Sequence, residues 1–298
     1  MPLNRAKARK AEGLTLRSNS GRDPSYYRQK RDAEKRLGRT ITTAEFDADY
    51  YVNNQTGGGL SETGTSVFDA TLCELMYRWF SPAEGSVLDP FAGGSVRGIV
   101  AALLGRRYVG VDLSARQVEA NREQAETVCG DNQPVWCVGD SRDLAALVPG
   151  SYDFVFSCPP YADLEVYSDD PRDISAMAYP DFRASYREII AAAVSMLAED
   201  RFAAFVVGEA RGRDGFYYGL VPDTIRAFED AGARFYDEAI LVNPIGSLPI
   251  RAGKQFESGR KLGKTHQNVL VFCKGDWRRA TAACGQIEVS WPQAEEAT

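Results

Sequence analysis

Four consecutive residues, Cys158-Pro159-Pro160-Tyr161, close the run Tyr152-Asp153-Phe154-Val155-Phe156-Ser157. The run reads as a buried strand. Two prolines then remove backbone donors and fix φ where the chain emerges. Such a corner presents backbone carbonyls in a fixed direction beside an aromatic ring. Fixed acceptors can hold the N–H groups of an amino nitrogen, and the ring can lie against a heterocycle. Cys158 is either a nucleophile or a small filler, and its neighbours favour the filler. The chain has one histidine, His266, which argues against a Cys-His pair or a Ser-His-Asp triad. Six cysteines without a CxxC pair argue against a zinc site, so no metal is expected.

A second constellation precedes the first. Val87-Leu88-Asp89 reads as the end of a strand, and Pro90-Phe91-Ala92-Gly93-Gly94-Ser95 turns it into a helix beginning near Val96. The next strand ends in Asp112-Leu113, and a third in Gly139-Asp140-Ser141. Glycines let a ligand approach the backbone, and a helix N-terminus favours its negative group. In an open parallel sheet, ligands bind outside the carboxyl ends of the strands. Asp112 is placed to accept from ribose hydroxyls and Asp140 from an adenine amino group. Neither G-x-G-x-x-G nor a phosphate-binding lysine motif is present, which disfavours dinucleotides and nucleoside triphosphates. S-adenosylmethionine fits better, because it has ribose, adenine and an ammonium-carboxylate end but no phosphate.

These residues need a frame to hold them together. From residue 86 short strands and helices alternate, which predicts an α/β fold. The expected sheet is doubly wound, seven-stranded and mostly parallel, with an antiparallel last strand. Ser66 reads as the N-cap of a helix over 67–80, with Asp69 three residues on. A long helix is expected over 181–200, followed by a strand from Arg201. Substrate-binding loops are expected at 162–173, 209–220 and 243–265. The predicted organisation is a basic, disordered arm (1–40), one domain (41–280) and a C-terminal tail (281–298).

"DPFAGGS", "GVD", "GD" and "SCPPY", in that order, resemble the motifs of the S-adenosylmethionine-dependent DNA amino-methyltransferases, the adenine-N6 and cytosine-N4 family. The resemblance runs from about Ser66 to "HQNVLVFCKG", and its motif order is similar to the gamma arrangement. The family's first motif reads D-P-F-A-G-S-G; Gly94-Ser95 stands here in place of Ser-Gly. The resemblance implies a Rossmann-like methyltransferase fold. It implies Phe91, Ala92 and Gly93 on the methionine side of the cofactor, Asp112 at the ribose and Asp140 at the adenine. It also implies a base extruded from duplex DNA, its amino group held by the carbonyls of Cys158 and Pro159, its ring on Tyr161. The family usually has Asp, Asn or Ser where Cys158 stands. Serine is typical of the cytosine-N4 enzymes, and cysteine is its nearest isostere, so cytosine N4 is preferred over adenine N6. A nucleophile for ring-carbon methylation is expected in the order Pro-Cys, the reverse of this chain. RNA guanine-N2 methylation, protein glutamine methylation and a non-catalytic nucleic-acid-binding subunit are the rival readings.

Charge distribution bears on the partner. The chain carries a net charge of −6, yet residues 1–40 hold 12 Lys+Arg against 4 Asp+Glu. A second basic cluster comprises Arg251, Lys254, Arg260, Lys261, Lys264 and His266. With Tyr167, these residues are the expected substrate contacts, and DNA phosphates are the expected target of the basic arm. Apolar content of 44% and charged content of 26% are ordinary for a soluble globular protein. No apolar run reaches the ~18 residues of a membrane span, and a cytoplasmic location is expected.

Overall fold

The computed structural model describes residues 68–164, 166–243 and 248–287. The basic arm, Ser66, the glycine-rich stretch 53–66 and the end of the tail lie outside them. The described residues divide between two compact units, one holding 68–243 with 264–287 and the other 248–263.

The larger unit begins with α1 (Ala70–Phe80), β1 (Ser86–Asp89), α2 (Val96–Leu103), β2 (Arg107–Asp112), α3 (Ala115–Val128) and β3 (Val135–Val138). It continues through α4 (Leu144–Leu147), β4 (Tyr152–Ser157), α5 (Tyr179–Met196), β5 (Leu197–Val207), α6 (Leu220–Asp230) and β6 (Ala233–Val242). After a helix of the other unit, α7 (Leu248–Gly259), come β7 (His266–Lys274) and α8 (Trp277–Cys284). The seven strands form one sheet in the order β3-β2-β1-β4-β5-β7-β6. Strands β1 to β5 pair in parallel, and β7 runs antiparallel to both β5 and β6. This is the predicted Rossmann-like, mostly parallel sheet. Strand order reverses between β1 and β4, the switch point where an open α/β sheet leaves a crevice at its carboxyl end.

Central strands bury both faces, so their side chains divide between two cores. On β5, Ala203, Phe205 and Val207 face one core while Phe202, Ala204 and Val206 face the other. α5 closes the first core with Phe182, Tyr186, Ile189, Ile190, Ala193 and Val194. α1 closes the second with Cys73, Met76 and Tyr77. All six cysteines are free thiols.

Several boundaries differ from expectation. The N-cap of α1 is Asp69, whose carboxylate accepts from Leu72 N–H at 2.9 Å. The long helix ends at Met196, because Leu197 already pairs with Tyr152 of β4 and draws the chain into the sheet. The expected loop 243–265 contains α7, with Pro249 in its first turn, where a missing N–H is harmless. The expected tail begins inside α8, which is capped by Asp276 accepting from Arg278 N–H. Among the described residues, no helix is long and apolar enough to cross a membrane.

Candidate active site

Both constellations arrive at the carboxyl ends of adjacent strands: the glycine turn after β1, and Cys158-Pro159-Pro160-Tyr161 after β4. The turn has a positive φ of 50° at Gly93, which glycine adopts without a Cβ clash. Both polar groups of Gly93 are held: its N–H donates to Asp112 at 2.8 Å, and its carbonyl accepts from Asn121 at 2.7 Å. Gly94 is exposed, and a Cβ there would meet nothing within 4 Å, so the outer surface of the turn is open. Ser95 directs its hydroxyl to Gln124, and no side chain caps the N-terminus of α2.

The expected cofactor residues fall into two sets. Phe91, Gly93, Gly94, Asp112, Leu113 and Asp140 keep some exposure. Asp89, Pro90, Ala92, Ser95 and Ser141 are buried and form the frame beneath. Asp89 is the plainest correction. Its carboxylate is fully buried and accepts from Arg97 (2.6 Å), Tyr108 (2.8 Å), Ser157 (2.5 Å) and Phe91 N–H (3.2 Å). Four donors fill the sites of a carboxylate, so Asp89 supports the turn rather than facing a ligand. Ala92 is likewise turned inward, its N–H bonded to the carbonyl of Val111. The Ser141 hydroxyl donates to the Pro90 carbonyl at 2.6 Å and ties the β3 turn to the β1 turn.

Arg97 is the residue that motif reading missed. It projects from α2 into the interior, 4% exposed, and donates to the carbonyls of Phe91 and Ala92 as well as to Asp89. Burial works against its charge, but the Asp89 carboxylate outweighs that and holds the guanidinium protonated beyond its usual range. Ser157 was also missed. Its hydroxyl donates to Asp89 and accepts from Phe91 N–H at 3.1 Å, joining β4 to the turn after β1. A lone hydroxyl ending an apolar strand was the available signal.

The acids at the next two strand ends differ in state. Burial raises the Asp112 carboxyl above its ordinary value, although the N–H groups of Ser114 and Gly93 partly counter it. Burial also pushes Asp140 up, but the forked bonds of Arg142 outweigh it and leave that carboxyl below its ordinary value.

At the proline corner, Cys158 is partly buried and packs against the second core, its sulfur 3.5 Å from the Tyr161 hydroxyl. Tyr161 is held above its ordinary pKa, first by burial and then by Cys158. Its ring abuts Gly208, where a Cβ would come within 2.8 Å of it, so only glycine fits after β5. Ala162 follows with a positive φ of 55°, a strained backbone of the kind that accumulates at functional sites.

Of the other expected substrate residues, Tyr167 lies near enough to act electrostatically on Tyr161. Tyr167 is exposed, its N–H donating to Ser175. His266 begins β7 opposite Val242. Arg251, Lys254, Arg260 and Lys261 belong to the smaller unit and Lys264 to the larger; Arg260 lies over the Phe256 ring. Among the described residues, no group of three or more His, Cys, Asp or Glu is arranged to hold a metal ion.

No protein-family model matches the chain. No curated protein matches it in sequence. Among solved structures, TrmN from Thermus thermophilus aligns with a TM-score of 0.47 and 16% identity, covering 70% of this chain and 49% of that one. The chain thus spans about half the length of that protein. A methyltransferase from Pyrococcus furiosus gives 0.47 and 13% identity over 82% of this chain and 100% of the other. Magnesium protoporphyrin IX methyltransferase (ChlM) from Synechocystis PCC 6803, with bound SAM, gives 0.44 and 12% over 79% and 99%. At these scores the likenesses carry no weight for reaction or substrate.

Proposed function

We propose that the chain is a DNA amino-methyltransferase of restriction-modification, orphan or phage type. It moves a methyl group from S-adenosylmethionine to the exocyclic nitrogen of an extruded base, with cytosine N4 preferred over adenine N6. One observation carries the reading: the Ser157 hydroxyl bonds the strand that leads into Cys158-Pro159-Pro160-Tyr161 to the turn after β1. A cofactor turn and an amino-gripping corner then share one rigid frame, as transfer between two bound groups requires.

The residues present suit the cofactor. The uncapped N-terminus of α2 favours a carboxylate, and the open face at Gly94 admits the methionine end. Asp112 retains lone pairs for ribose hydroxyls beyond those facing Gly93 and Ser114. Asp140 is ionised and can accept from an adenine amino group. S-adenosylmethionine supplies an electrophilic methyl on a sulfonium.

The corner would act on the nucleophile. Carbonyls of Cys158 and Pro159 accept from the two amino hydrogens and turn the nitrogen lone pair out of ring conjugation. Tyr161 supplies a ring beside the base. The basic arm and the Arg251–His266 cluster hold phosphates, since charges act locally within a Debye length of ~8 Å.

The test is to express the chain in cells lacking DNA methylation, digest their DNA to nucleosides and weigh them. N4-methylcytosine or N6-methyladenine is expected, and neither should form with Pro159→Ala. Unmodified DNA alongside methylated RNA or protein would replace this reading with one of its rivals.

A further inference from the structure

The segment between β5 and α6 is an exposed connection whose backbone is thoroughly fixed. It opens at Gly208, against the ring of Tyr161. Glu209 then accepts from the N–H groups of Leu220 and Val221, which pins the base of the segment to the first turn of α6. Arg211 and Tyr217 form an antiparallel bridge, and Gly212 N–H donates to the Phe216 carbonyl at 2.9 Å. The Arg211 guanidinium lies 3.6 Å over the Tyr217 ring and donates to the Gly215 carbonyl at 3.0 Å. Asp214 accepts from Phe216 N–H, and Gly215 takes the positive φ of 87° that the reversal needs. On the return limb, Tyr218 stacks on Tyr179 with ring centroids 4.3 Å apart.

Among the large apolar side chains of this small hairpin, Phe216 is the most exposed. Phe216 is 75% exposed, while Tyr217 beside it is partly covered by Arg211. The hydrogen bonds fix the backbone from which the ring projects.

We infer that Phe216 is a wedge that enters the duplex and occupies the place of the extruded base. This rests on the DNA reading above. An apolar side chain inserted at a base step is an established device for opening a stack, and a phenyl ring suits the ~3.4 Å step of a duplex strand. Position supports the assignment: the hairpin springs from the residue that touches Tyr161, so the gap and the proposed base site are opened from one rigid base. Arg213, next to the tip, and Arg211 supply positive charge for the flanking phosphates. Across from the tip, Val166 and Tyr179 help line a cleft of about 590 Å³ whose other wall includes Gly212 and Arg213.

The test uses the full chain and a duplex carrying the modified sequence identified in expressing cells. The duplex is prepared matched, and again with a mismatch opposite the target base, which makes extrusion easier. Phe216→Ala should turn over the matched duplex at least tenfold more slowly than the parent, yet come within threefold of it on the mismatched one. Phe216→Trp should restore matched turnover, and S-adenosylmethionine affinity should be unchanged in both. Phe216→Ala that equals the parent on matched DNA, or is equally slow on both duplexes, would overturn the wedge while leaving the DNA reading intact. If the parent modifies no DNA, the DNA reading fails and the wedge with it.

Discussion

The Ser157 hydroxyl donates a 2.5 Å hydrogen bond to Asp89, so the last residue of β4 is bonded to the last residue of β1. That one bond spans the point where strand order reverses. Phe91 N–H donates to the same hydroxyl, and Arg97 holds the Phe91 and Ala92 carbonyls from below. The turn before the helix and the strand end that leads into the proline corner are therefore two parts of one buried polar network.

Arg97→Met leaves the Asp89 carboxylate buried without its counter-charge. Breaking a buried pair this way costs about 3–5 kcal/mol. At roughly 2–4 °C per kcal/mol for a domain this large, Tm should fall by about 6–20 °C in a thermal scan. Adding Asp89→Leu should recover part of the loss, because no unpaired charge then remains. A double variant as unstable as the single would show that packing, not charge, governs the site.

Asp112→Ala should weaken S-adenosylmethionine binding by about 1.5–3 kcal/mol, roughly 10- to 150-fold, as a charge-assisted acceptor is lost. Calorimetry reads this directly. Asp112→Asn, which keeps one acceptor oxygen, should fall between the two. Equal affinity in all three proteins would remove Asp112 from the cofactor site.

Cys158→Ser should keep most of the activity, since a hydroxyl fits where the thiol meets Tyr161, whereas Pro159→Ala or Tyr161→Ala should lose most of it. Initial rates decide the order. A covalent adduct on DNA containing 5-fluorocytosine would instead make Cys158 a nucleophile.

A pH dependence follows from Asp153. Burial raises its carboxyl, but Ser86 N–H, Arg201 and the Ser86 hydroxyl outweigh this and hold it below the ordinary 3.8. A depressed carboxyl stabilises the fold above its unfolded value and loses that contribution as pH falls through its folded value. Asp153→Asn should therefore lower Tm at pH 7, with the gap closing below pH 3.8. A gap that widens in acid would contradict the assignment.

How far the residues alone disclosed this arrangement varies along the chain. Strand ends at Asp89, Asp112 and Ser157 were legible, because turn residues follow alternating or continuous apolar runs. The part played by Asp89 was not, since only the fold brings Arg97, Tyr108 and Ser157 to one carboxylate. Arg97 looked like any polar residue of a short helix, and its burial depends on how α2 packs under the turn. Leu197 was read as helix because its pairing with Tyr152 spans 45 residues and overrides local propensity. In 243–265 the density of cations drew attention to charge and away from the helix Leu248–Gly259.

The central claim is methyl transfer to a DNA amino group, and one assay addresses it most directly. The purified full chain is incubated with methyl-tritiated S-adenosylmethionine and, separately, unmethylated duplex DNA, total RNA or total protein. The account predicts label in the DNA alone, released on digestion as N4-methylcytosine or N6-methyladenine and abolished by Pro159→Ala. Label in RNA or protein, or at the ring carbon of cytosine, would contradict it.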